Sequence, residues 1–167
     1  MSIFNLEDSL RRAEDRLRDD SSRRRRSDRG HTRLDPAVLE RLRDLLLVQE
    51  RPSMKDVAQE LNVFCRDRGT KAPSRATLYN ALTWLEPHRY LVRDLPRSVR
   101  EALVNLDDDT LVPGPQLAFA CFQDGDTGAV SYASGLPWLD LHQAASMRGW
   151  RERSRGLLHA VSQVRGI

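Results

Sequence analysis

The sequence predicts a mainly α-helical chain with one small β-hairpin: a trihelical core over residues 34–106, a small α+β module over 107–167 and an N-terminal helical arm. Three observations predict it. Apolar residues recur at steps of three and four in three successive segments, each opened by an Asp or a Ser, which is the pattern of capped amphipathic helices. The third of these segments keeps a polar face rich in Arg, Thr and Asn. Two later stretches, 116–123 and 128–134, mix aromatic and β-branched residues around the turn-forming run from Asp124 to Gly128, the signature of a hairpin with a Gly-containing loop.

In chain order, Ile3, Leu6, Leu10, Ala13 and Leu17 form a short heptad-like seam over residues 1–20. Acid-then-base pairs at i, i+4 (Glu7 with Arg11, Asp8 with Arg12, Glu14 with Arg18) each support a helix by roughly 0.2–0.5 kcal/mol. Two heptads are too few for a coiled coil on their own. The seam through Ile3, Leu6, Leu10 and Leu17 is therefore expected to dock on this protein, on a second copy in a homodimer or on a protein partner. Residues 21–33 contain no apolar side chain and are expected to be a disordered linker. Its cluster Arg23, Arg24, Arg25 and Arg26 could follow a DNA backbone or minor groove, or be a soluble tether.

Asp35 then caps a helix with Pro36 at its first position, whose stripe is Val38, Leu39, Leu42, Leu45 and Leu46, ending before Pro52. Ser53 opens the second, with Val57, Ala58, Leu61, Phe64 and Cys65 on one face and Gly69 as a stop. Ser74 opens the third after Pro73. Leu78, Ala81, Leu82 and Leu85 fall at i, i+3, i+4 and i+7, leaving Arg75, Thr77, Tyr79, Asn80 and Thr83 outward. Forked and small polar donors near a helix N-terminus suit phosphates and base edges of a major groove.

Residues 35–93 resemble winged-helix or helix-turn-helix DNA-binding domains, with Ser74 to Leu82, SRATLYNAL, similar to recognition-helix segments of bacterial regulators and recombinases. The resemblance covers about a third of the chain. It implies that double-stranded DNA is the partner and that Ser74, Arg75, Thr77, Tyr79 and Asn80 face it. In this reading Arg75 and Asn80 read base edges, and Lys71, Thr77, Tyr79, Arg89 and Arg93 hold phosphates. The chain departs from the pattern at the wing: after Tyr90, Leu91 and Val92, Pro96 and a helix-like segment over 98–106 intervene before any second strand. The hairpin of 116–134 could be a delayed wing or the sheet of the C-terminal module. Helices over 138–148 and 152–164 would complete that module, the latter with Leu157, Leu158, Val161 and Val164 on one face.

Charge is unevenly laid out. The net charge is +3, carried by 27 basic and 24 acidic residues. Residues 1–33 hold ten Arg against seven acids, whereas residues 34–167 are neutral. Within that body, 66–100 carry eight basic residues against three acidic, and 101–126 carry six acids and no base. The positive stretch coincides with the third helix, as a phosphate-binding surface requires. Arg exceeds Lys by 25 to 2, which suits bidentate contacts but also follows from a GC-rich, bacterial genome.

The remaining function classes find little support. No apolar run approaches the roughly 20 residues of a membrane span, and Glu7 and Asp8 stand where a signal peptide would be basic and apolar, so a cytoplasmic chain is expected. Cys65 and Cys121 suit buried small hydrophobes, and Trp138 and Trp150 suit core or interface positions. Asp107, Asp108 and Asp109 suit a helix end, and Asp124 with Asp126 a turn, without calcium-loop spacing. The four His have no zinc spacing, and neither a nucleophile elbow nor a phosphate-cradling glycine loop is present. No catalytic residue, metal or cofactor is expected. The reading is a sequence-specific DNA-binding protein, a bacterial transcriptional regulator acting as a dimer. The alternatives are a protein-interaction adaptor on the same fold or an antitoxin-like autorepressor.

Overall fold

The computed structural model describes residues 34–165. The expected arm of residues 1–20, with Ile3, Leu6, Leu10 and Leu17, and the linker with Arg23 to Arg26 lie outside the described residues. The described chain is mainly helical, with one two-stranded antiparallel sheet.

The first three helices follow their predicted caps. Helix α1 spans Pro36–Leu46, with Asp35 Oδ1 accepting from the Ala37 amide at 2.8 Å. Helix α2 spans Met54–Asp67 behind Ser53. It ends in a Schellman arrangement: Gly69 takes φ +66°, the Gly69 amide donates to the Arg66 carbonyl and the Thr70 amide to that of Cys65. Glycine suits this position because the left-handed conformation costs it nothing sterically. Helix α3 spans Arg75–Trp84, capped by Ser74. Val38, Leu42, Leu46, Val57, Leu61, Cys65, Leu78, Ala81, Leu82 and Leu85 interlock as one buried cluster.

Strand β1, Arg89–Leu91, follows α3 and leads through a 3-10 turn, Val92–Asp94, into the short helix α4, Arg97–Ala102. Strand β2, Leu111–Pro113, returns antiparallel to β1 with Tyr90 opposite Val112. Four helices follow: α5 Gly114–Asp124, α6 Thr127–Ser134, α7 Trp138–Ala145 and α8 Glu152–Val164.

The predicted hairpin of 116–134 is therefore corrected, because both of its arms are helices, α5 and α6. Leu117, Ala118, Cys121 and Phe122 share the buried face of α5, while Ala129 and Ala133 sit a turn apart on α6. Their small size lets the two helices meet closely. Asp126 does not turn a hairpin but caps α6, accepting from the Ala129 amide at 2.8 Å. The sheet is instead β1 with β2, and the C-terminal half is helical apart from that strand. The predicted helix over 98–106 stops at Ala102, and α8 buries Leu158 while leaving Leu157 and Val164 exposed.

The predicted seam at 106/107 is not where the apolar clusters divide. Residues 34–167 make one compact unit. Val92, Leu95, Val99, Ala102 and Leu103 pack with Val112, Leu117, Cys121, Phe122 and Leu158 in a second cluster. Helix α7 serves both: Trp138 and Leu139 join the trihelical cluster, Leu141 and Ala144 the C-terminal one. Cys65 and Cys121 are both buried free thiols, and burial pushes the Cys121 pKa up to about 12. Among the described residues no helix is long and apolar enough to cross a membrane, and no metal-binding cluster of His, Cys, Asp and Glu forms.

Candidate nucleic-acid interface

Helix α3 is held from three sides. Its N-terminus is fixed by Ser74, whose Oγ accepts from the Thr77 amide at 3.2 Å and lies 2.9 Å from the Thr77 hydroxyl. Its inner face buries Leu78, Ala81 and Leu82. Its last carbonyls are satisfied from α7: Gln143 Nε2 donates to Leu82 at 3.0 Å and to Leu85 at 2.9 Å. Helix ends leave such carbonyls without partners, so this one amide both caps α3 and ties it to the C-terminal half. Spacing within the chain does not signal this contact, whose partners lie about sixty residues apart.

On the outer face Arg75, Tyr79, Asn80 and Thr83 are exposed. Tyr79 is 44% exposed, unusual for so large an aromatic side chain, and the Arg75 guanidinium lies over its ring at 5.8 Å. That cation–π contact lays the arginine along the helix rather than into bulk water. Thr77 is half-buried and its hydroxyl is engaged with Ser74, so these two predicted contacts serve first as the helix cap. Lys71 is exposed just ahead of the cap.

Arg89 and Arg93, expected beside a nucleic-acid backbone, are already matched by acids. Arg89 pairs with Glu86 at 3.1 Å, and Arg93 with Asp109 at 3.0 Å and Asp94 at 4.0 Å. Arg66 lies 3.9 Å from Asp67, Arg97 2.7 Å from Glu101 and Arg100 3.9 Å from Asp108. The acidic stretch thus folds back on the basic one. Of the eight basic residues of 66–100, only Arg68, Lys71 and Arg75 form no ion pair with a described carboxylate. These three flank the start of α3, where the helix dipole adds its own positive end. Exposed ion pairs are weak and can exchange for phosphate, but within 66–100 the positive charge that meets no described carboxylate is confined to these three residues.

Behind β1 lies a buried polar contact. Asp140, in the first turn of α7, is fully buried. Its Oδ2 accepts from the Tyr90 hydroxyl at 3.2 Å while Oδ1 has no partner among the described residues. Burial pushes its pKa up to about 6, against the pull of the Tyr90 hydroxyl, the His88 backbone and the Arg43 charge. Burial, and then the Asp140 charge, hold the Tyr90 hydroxyl above its ordinary value. The carboxyl group rests on Gly114, where a Cβ would stand 2.2 Å from it. This contact locks β1, β2 and α7 together beside α3.

No protein-family model, curated protein or solved structure was found to match this chain.

Proposed function

We propose that the protein binds double-stranded DNA through α3 and is a transcriptional regulator, with α1 to α3 as a helix-turn-helix unit and the β1–β2 pair in the place of a wing. The observation that carries the reading is the outer face of α3: Arg75, Tyr79 and Asn80 stand exposed on a helix fixed at both ends, beside Arg68 and Lys71, which form no ion pair with a described carboxylate. A rigid helix with forked donors and a stacking aromatic at its N-terminal half is suited to a major groove. Arg75 and Asn80 would meet base edges, and Lys71 and Tyr79 the phosphates. Arg89 and Arg93 would contribute only by exchanging Glu86 and Asp109 for phosphate, so their effect should be smaller than that of Lys71.

The test is a titration of the full-length protein on duplex DNA at several salt concentrations. Arg75→Ala is expected to weaken specific binding by about 1–3 kcal/mol and to relax sequence preference. Lys71→Ala is expected to weaken all sequences alike and reduce the salt slope by about 1. Binding unchanged in both variants would overturn the assignment to α3.

A further inference from the structure

Two arginines bracket the turn between α2 and α3, and each lies over an aromatic ring. The Arg68 guanidinium stands 5.3 Å from the centroid of the Phe64 ring, and that of Arg75 5.8 Å from the centroid of Tyr79. The pairs 64/68 and 75/79 are both four residues apart, the spacing that brings side chains together along a helix. An arginine in an ion pair spends its N–H groups on the carboxylate. One held over a ring is attached by its face and keeps the N–H groups of its edge free. In that state the planar fork matches the oxygens of a phosphate.

Arg68 is the one placed for a backbone contact. It is the C-cap residue of α2, is exposed, and forms no ion pair with a described carboxylate. Its platform is anchored, because Phe64 is half-buried and packs against the trihelical cluster. Gly69, at φ +66°, turns the chain directly after it, and the same turn delivers Lys71 and the α3 cap Ser74.

The surrounding charges agree. Three carboxylates share the Phe64 face of α2: Asp67 lies 3.9 Å from Arg66, Glu60 is bonded to Arg41 at 2.9 Å, and Asp56 sits at the other end of the helix. Twelve residues of helix put Asp56 about 18 Å from Arg68, well past the screening length at physiological salt. Between residues 64 and 80 four bases stand against one acid. Between 86 and 110, which hold β1 and α4, four arginines stand against six acids.

We infer that Arg68 is a phosphate anchor for the duplex: its guanidinium, held by the Phe64 ring, meets the DNA backbone ahead of the α3 N-terminus, so that the grip comes from the α2–α3 turn and not from the β1–α4 side. The inference rests on the proposal that DNA is the partner of α3, and adds the contact that fixes the backbone.

The experiment titrates the full-length protein with a fluorescein-labelled mixed-sequence DNA duplex at several salt concentrations, read by anisotropy. Arg68→Ala is expected to lower the salt slope by about 1 and to weaken binding about fivefold near 0.15 M salt. Arg97→Ala removes the same charge from the β1–α4 side and should change affinity by less than about twofold. Phe64→Leu leaves the charge but frees the side chain, and should weaken binding about threefold. Phe64→Tyr, which keeps the ring, should bind like the wild type, and Phe64→Leu added to Arg68→Ala should have no further effect. An unchanged slope in Arg68→Ala, an equal loss in Arg97→Ala, or an equal loss from Phe64→Leu with and without Arg68 would each overturn the inference. Lys71→Ala, run in parallel, separates it from the assignment of DNA to α3. A lower slope in Lys71→Ala with Arg68→Ala unchanged overturns this inference alone, whereas no duplex binding by the wild-type protein overturns both.

Discussion

The two apolar clusters of this molecule are built by different means. In the trihelical half every helix begins on a side-chain cap, Asp35, Ser53 or Ser74, and presents a single apolar stripe to its neighbours. In the C-terminal half α4, α5 and α7 follow Pro96, Pro113 and Pro137, α8 follows Arg151, and none of these offers a capping side chain. Only α6 has one, Asp126. There α4, α6 and α7 are only six to eight residues long and α5 buries six of its eleven, so tertiary packing more than local signals fixes them. The first half is written in its own sequence; the second depends on what it touches.

The sharpest way to break this contrast is at Gly114. A methyl group there would meet the enclosed Asp140 carboxyl at 2.2 Å, with no room to turn aside. Gly114→Ala should destabilise the protein by about 3 kcal/mol, and removing the obstacle in Gly114→Ala/Asp140→Ala should return at least about 1 kcal/mol. Because α7 belongs to both clusters, chemical denaturation should show one transition in both variants. Two separated transitions would contradict the coupling.

Asp140 itself gives the next effect. Its folded pKa of about 6 lies above the ordinary carboxylate value, so the folded chain holds this proton more firmly than the unfolded chain. The resulting stabilisation is complete below about pH 4, declines as pH rises and is gone above about pH 6. Wild type minus Asp140→Asn should therefore lose about 3 kcal/mol of relative stability across that window. A flat difference would mean that the carboxyl is not desolvated as described.

The smallest effect concerns the joint between the halves. Gln143→Ala strips two carbonyls of α3 of their partner and should cost about 1–2 kcal/mol, measured by denaturant midpoint. If α3 is the DNA-reading helix, duplex affinity should fall with it. Unchanged stability would show that water satisfies Leu82 and Leu85 equally well.

The same contrast explains what could be read in advance. The helices α1, α2 and α3 were legible because a cap and a 3.6-residue period lie within a dozen residues, and α8 from its period alone. The hairpin misreading of 116–134 came from Phe119, Phe122, Val130 and Tyr132, whose β-branched and aromatic character outweighed Ala118, Ala120, Ala129 and Ala133. In the fold those alanines matter more, since they let α5 and α6 approach. Strand β2 is three residues between Thr110 and Gly114, too short for alternation to register. At the candidate site, the exposed set on α3 was visible from spacing. The pairing of Arg93 with Asp109 was not, because it depends on the 3-10 turn and α4 bringing the acidic stretch back.

The proposed reading of DNA by α3 rests above all on Arg75. The most direct measurement mixes full-length protein with sheared genomic DNA of its host near 0.15 M salt, recovers the bound fragments and sequences them, with Arg75→Ala in parallel. Discrete enriched sites are expected with the wild-type protein and should be lost in the variant. Even, weak recovery that is equal in both proteins would overturn the role of Arg75 and direct attention to a protein partner.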